Sequence, residues 1–176
     1  MSNKYFCWKK ELSHEVCQKL IDLGQGNWNN AAVVNKSVVG ARKSDIVWTK
    51  EQWVYDLVWP YMSQGMKHIG WNYKITSAES YQIAKSEVGE FHAWHQDGLG
   101  QITYDSESDK TRKLSLSLLL NDDYEGGELE VFPNGPMKLP KGTMIFFPSF
   151  QCHQVLPVTK GTRYSLVMWF SGKPWQ

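Results

Sequence analysis

Hydrophobic positions change their spacing once along this chain. Leu12, Val16 and Leu20 recur every fourth residue, with Ser13 able to cap the start and Gly24 able to end it. That pattern predicts a helix from Ser13 to Leu23. Trp53, Leu57 and Tyr61 repeat the spacing and predict a second helix, capped by Thr49, with Glu51 and Gln52 in its first turn. Pro60 predicts a kink or an early end there. From about Ile75 the apolar runs shorten and turn residues separate them. Leu114, Leu116 and Leu118 alternate with Ser115 and Ser117, the period of a half-buried strand. Asp122, Asp123, Gly126 and Gly127 mark a turn before Leu129, Val131 and Phe132, and the runs 144–147 and 166–170 predict further strands. The polar stretch from Gly98 to Thr111 predicts a surface loop that could close over a substrate. Helices followed by many short strands predict an α+β, mainly β chain whose β part is a sandwich or jelly roll.

Composition narrows this picture only a little. The 176 residues fit one domain, 1–176, with helical support and first strands in 1–74 and a strand-rich core in 75–172. A net charge of +1 without a basic run argues against a nucleic-acid partner. Nine Trp, eight Tyr and seven Phe suit a β-rich core, or a groove that accepts a peptide. Met1 to Lys10 carries no signal-like apolar run, and no segment reaches the about 18–20 apolar residues of a membrane span. The expectation is a cytoplasmic protein with no membrane partner. Cys7, Cys17 and Cys152 lack paired spacing and read as free thiols, Cys152 facing away from its neighbour His153.

The chemistry concentrates in a few positions. His95 and Asp97 are two residues apart, so on extended backbone both reach the same side and can share a cation. Of the other histidines, His14 and His68 fall near helices, and His92, three before His95, is expected on the opposite face. His153 follows Phe146-Phe147-Pro148-Ser149 and begins a strand-like segment, which makes it the third candidate ligand. Two histidines and one carboxylate form the facial triad of non-haem Fe(II) sites, leaving three positions for a bidentate oxo-acid and O2. Arg163, ten residues on, offers a planar fork that suits the distal carboxylate of 2-oxoglutarate, and Ser165 shares its face. Without turnover, the same fold could serve as a binding module. A zinc hydrolase would need a general base, and no Glu is obviously placed for one.

These residues resemble the 2-oxoglutarate and Fe(II)-dependent oxygenases, in particular the prolyl 4-hydroxylase branch and its bacterial and viral members. The resemblance runs from Tyr81 to Trp169. It takes in Gly89, Phe91, His95-Gln96-Asp97, the run 114–121 ending in Asn121, Glu125-Gly126-Gly127-Glu128-Leu129, Phe147-Pro148-Ser149, His153, Pro157-Val158-Thr159, Gly161 and Arg163. It implies a double-stranded β-helix with iron on His95, Asp97 and His153, 2-oxoglutarate on Arg163, and ascorbate as a reductant. Many prolyl hydroxylases place a tyrosine for 2-oxoglutarate in the strand before Asn121. Here Leu118 and Leu119 stand there, and Ser165 and Tyr81 are the candidates for that role. The segment 42–48 resembles one beside the peptide groove, which makes Arg42, Asp45 and Trp48, with Trp169, candidates for substrate contact. The resemblance implies hydroxylation of a C–H bond, with a peptidyl proline as first choice. Another protein residue or a free amino acid is the alternative.

Overall fold

The computed structural model describes residues 5–26, 28–30, 42–98 and 110–173. The chain opens with strand β1 (Phe6–Trp8), helix α1 (His14–Asp22) and the short strands β2 (Asn29–Asn30) and β3 (Arg42–Lys43). Next come β4 (Asp45–Thr49) and helix α2 (Gln52–Ile69), then β5 (Ser77–Ala78), β6 (Tyr81–Ser86) and β7 (Phe91–His95). The remainder is strand: β8 (Thr111–Leu119), β9 (Glu125–Gly126), β10 (Leu129–Val131), β11 (Met144–Pro148), β12 (His153–Val155), β13 (Val158–Lys160) and β14 (Arg163–Gly172).

Every strand pair is antiparallel. The large sheet runs β1-β11-β8-β14-β6-β4-β2, with β5 also on β14, and a second sheet runs β10-β12-β7-β3. Strands β9 and β13 form a separate two-stranded ribbon. Period-two alternation gives the large sheet two different faces. Leu114, Leu116 and Leu118, Met144 and Phe146, and Leu166, Met168 and Phe170 point toward the helices, where Leu20, Val54, Val58 and Met62 cover them. Ile145 and Phe147 point the other way and pack with Leu129 and Val131 of the second sheet. The chain is thus helices on one face of a sheet whose other face closes against a second sheet, the expected jelly roll.

Ser13 caps α1 as expected, its hydroxyl accepting from the Val16 N–H at 3.3 Å. The second helix differs from expectation in three ways. Thr49 belongs to β4, and the cap is Glu51, which makes no side-chain capping bond. The buried stripe is Val54, Val58, Met62 and Gly65, one residue on from Trp53, Leu57 and Tyr61, which pack around its edge. The helix also continues through Pro60 to Ile69, because burial of that stripe outweighs one lost backbone bond. Gly65 is part of the reason, since a Cβ there would collide with the Phe6 ring.

Strand β8 departs from the half-buried expectation. Ser115 is fully buried, although its face is polar. That face looks into the space between the sheets, where the candidate site lies. The expected loop 98–111 falls largely outside the described residues. Among the described residues, no helix is long and apolar enough to cross a membrane.

Candidate active site

Strands β7 and β12 pair with His153 opposite His95, so the two imidazoles leave neighbouring strands at the same level. Asp97 follows two residues after β7 ends, its N–H donating to the Ser149 carbonyl at 2.8 Å. Nε2 of His95 is 3.7 Å from Oδ1 of Asp97, and Nε2 of His153 is 3.5 Å from Oδ2. The three ligand atoms all lie within 4.8 Å of one another, close enough to hold one metal ion. Asp97 and His153 are buried, while His95 is part-buried.

The backbone fixes which nitrogen faces inward. Nδ1 of His95 lies 2.8 Å from the Ala93 carbonyl, and Nδ1 of His153 lies 2.9 Å from the Gln151 carbonyl. A carbonyl only accepts, so each Nδ1 carries the proton and each Nε2 keeps its lone pair for a cation. Asp97 is held as firmly. Ser115 donates to Oδ2 at 2.7 Å, and its oxygen is 3.0 Å from that of Ser149. Burial works to raise the Asp97 carboxyl, but His153 and His95, then the Ser115 hydroxyl and the nearby Trp169 indole, outweigh it and hold it below the ordinary range. His95 is pushed down to about 4, chiefly by burial and next by His153. Both groups therefore stand in their ligating protonation states at neutral pH.

His92 is not where strand alternation sends it. The register slips between His153/His95 and Val155/His92, so two residues of β12 face three of β7. This bulge turns His92 to the same side, and its ring stacks on that of His95 at 3.5 Å. His92 is outside the group of three that can share an ion.

A small cavity of about 50 Å³ sits at the three groups, lined also by Arg42, Gln82, Ser117, Leu129 and Trp169. A second, of about 350 Å³, shares Ser117 and Leu129 with it and leads to Arg163. Arg163 is 4% exposed, and its Nη1 donates to Ser165 Oγ at 2.9 Å. Asn121 sets its place, accepting from the Tyr164 N–H at 2.7 Å and donating to the Thr162 carbonyl at 2.7 Å. Tyr124 approaches Arg163 closely enough for the guanidinium to act on its phenol, and sequence reading missed it. The only signal was its place just before Glu125-Gly126-Gly127.

The other candidates divide. Arg42 reaches the cavity at the three groups, donating through Nε to Ser44 at 2.9 Å and through Nη1 to Gln82 at 3.1 Å. Burial lowers its pKa to about 10. Trp169 lines the same cavity and packs, tilted by 35°, against Trp48, which is 52% exposed, with ring centroids 5.8 Å apart. Asp45 is not drawn in; it pairs with Lys85 at 3.7 Å. Tyr81 is a correction. Its ring packs in the helix-side core against Tyr55, because Gln82, not Tyr81, occupies the site-facing parity of β6. It cannot contact a co-substrate held at Arg163.

The sequence model of the 2OG-Fe(II) oxygenase superfamily matches residues 81–171, just over half of the chain. The chain belongs to that superfamily. A PKHD-type hydroxylase from Synechococcus sp. (strain CC9902) is 36% identical over 100 residues, covering 54% of this chain and 42% of that protein. The match thus spans less than half of that relative's length. The 2OG complex of the viral collagen prolyl hydroxylase from Paramecium Bursaria Chlorella virus-1 superposes with a TM-score of 0.73. Identity there is 23%, over 97% of each chain. A prolyl hydroxylase from Trichoplax adhaerens, in complex with a hypoxia inducible factor peptide fragment, gives 0.69 at 22% identity, over 96% of this chain and 84% of that one. These likenesses establish the double-stranded β-helix. For a 2OG-Fe(II) oxygenase the donor set fits: two imidazoles with lone pairs turned inward and one carboxylate suit Fe(II), and a buried guanidinium beyond them suits a dicarboxylate.

Proposed function

We propose that this protein is an Fe(II)- and 2-oxoglutarate-dependent hydroxylase acting on a prolyl residue of a peptide or protein. The observation that carries this reading is the convergence of His95, Asp97 and His153 at one point, with Arg163 buried in the adjoining cavity. His95, Asp97 and His153 would hold the iron, and Arg163 with Ser165 would hold the far end of 2-oxoglutarate. When bound, iron and co-substrate supply the oxidising power that converts a C–H bond into an alcohol, with succinate and carbon dioxide as by-products.

The chain's own residues orient and exclude. Ala93 and Gln151 carbonyls keep both imidazoles in one tautomer, and Ser115 stops the Asp97 carboxylate from rotating. Phe147 and Leu129 line the metal cavity with apolar surface and limit water there. Trp48 and Trp169 form an aromatic wall at its side, suited to a proline ring. Prolyl hydroxylases among the structural neighbours support that substrate class. A second reading, a free amino acid, gains support from Arg42. It reaches the same cavity, its hydrogen-bond partners among the described residues are the neutral Ser44 and Gln82, and it could receive a carboxylate.

The test incubates purified protein with Fe(II), 2-oxoglutarate and ascorbate, with proline-rich peptides in one arm and free amino acids in the other. Succinate release coupled to a gain of one oxygen atom on a peptide proline is expected, and Asp97→Ala should abolish it. Oxygen gain only on free amino acids would shift the assignment to the second reading. Undiminished turnover by Asp97→Ala would overturn the proposed iron site.

A further inference from the structure

The distal cavity holds a guanidinium with no ion-pair partner among the described residues, although Asp122, Glu125 and Glu128 also line it. Among the described residues no carboxylate forms an ion pair with Arg163, its Nε is buried without a partner, and its hydrogen bond goes to a neutral hydroxyl. A buried guanidinium in that condition is costly unless an anion completes it. The surrounding strand positions are mixed: Leu119, Leu129 and Ile145 are apolar, while Ser117 and Thr143 carry hydroxyls, that of Thr143 accepting from the Lys10 N–H. Tyr124 is set apart by its place, a phenol in the same cavity close enough to Arg163 for the guanidinium to act on it.

The turn between β8 and β10 is built to seat Tyr124 there. Gly127, at φ +65°, lies where a Cβ would be 2.9 Å from Arg163 Cδ and 3.3 Å from Tyr124 Cε2. Gly161, at φ +74°, comes as near to the Tyr124 backbone, where a Cβ would stand 3.3 Å from its Cα. Only glycine allows both approaches, so ring and guanidinium share one wall of the cavity. A phenol oxygen beside Arg163 accepts an N–H and leaves its own hydrogen free to donate to a third group. Burial, the larger effect, raises the phenol pKa despite Arg163, which keeps that hydrogen in place at neutral pH.

We propose that Tyr124 is a co-substrate-binding residue, donating its phenol hydrogen to the distal carboxylate of 2-oxoglutarate beside Arg163. The inference rests on the 2-oxoglutarate reading above, and adds a donor from the loop beside a strand that places leucine at 118 and 119.

The experiment is an anaerobic titration of Fe(II)-loaded protein, following the visible charge-transfer band that forms when a 2-oxo acid chelates the metal. Two ligands are compared: 2-oxoglutarate, and 2-oxopentanoate, which has a methyl group in place of the distal carboxylate. Tyr124→Phe keeps the ring and loses only the hydroxyl. A hydrogen bond to a charged group sets the expected loss at about tenfold or more in 2-oxoglutarate affinity. Affinity for 2-oxopentanoate and the position of the band should not change. Unchanged affinity for 2-oxoglutarate, or equal loss for both ligands, would overturn the proposal while leaving the co-substrate reading intact. A wild-type protein with no band would overturn that reading itself, and the role of Tyr124 with it.

Discussion

Ser115 carries more of the site's geometry than its size suggests. It is fully buried on β8, donates to Asp97 Oδ2 at 2.7 Å and lies 3.0 Å from the Ser149 hydroxyl. A ligating carboxylate that loses such a support gains rotational freedom, and outer-shell partners of this kind change metal affinity by about 10–100-fold. Ser115→Ala should therefore weaken Fe(II) binding by roughly tenfold or more while the protein stays folded. Competition with a chelator of known affinity measures this directly. Unaltered iron affinity would mean that the Ser149 carbonyl, bonded to the Asp97 N–H, suffices to hold the carboxylate. At this scale the sequence was readable where two residues act through simple parity. His95 and Asp97 are an i, i+2 pair, and Arg163 and Ser165 are another. Ser115 was seen only as the polar half of an alternation, because nothing in Leu-Ser-Leu says that the serine face meets a carboxylate.

Elements were legible in type and less so in detail. Ser13 marked α1 well because a cap is a local interaction, complete within four residues. Thr49 misled because β4 pairs with β6 right up to Thr49 opposite Tyr81, and sheet pairing took the residue that capping would have used. Pro60 misled because tertiary burial on α2 exceeds the local penalty. That penalty should still be measurable. Pro60 is exposed in the interior of α2, and proline there is about 3 kcal/mol less favourable than alanine. Pro60→Ala should accordingly raise the urea midpoint without altering activity, since α2 packs on the sheet face opposite the site. A lowered midpoint would show that α2 depends on the shape proline imposes. The bulge in β7 was invisible from sequence for another reason: the extra residue is defined by register against β12, not by any residue type.

Across the whole molecule, two sheets close around a set of groups that prefer different charges in different states of folding, and this links stability to pH. Without metal, His95 in the folded chain has a pKa of about 4, held down first by burial and next by His153, with Asp97 pulling the other way and Arg42 adding to the depression. Its unfolded value is about 6.5. The folded form therefore binds fewer protons than the unfolded form between those values, and protons favour unfolding there. Stability from this group is complete above about pH 6.5 and is lost as pH falls toward 4. His92, buried against His95 and near Arg42 and His153, is depressed in the same direction and adds to the loss. Asp97, held below its ordinary value, gives way only at still lower pH, since its stabilisation persists above the unfolded carboxylate range. The depression of His95 corresponds to about 2–3 kcal/mol after allowance for its part exposure. Denaturant unfolding of chelator-treated protein at pH 7.5 and pH 4.5 should show a drop of that order. His95→Gln, which keeps the shape and cannot titrate, should lose markedly less between the same two pH values. An equal drop in both would place the proton uptake elsewhere, with His92 the first group to replace.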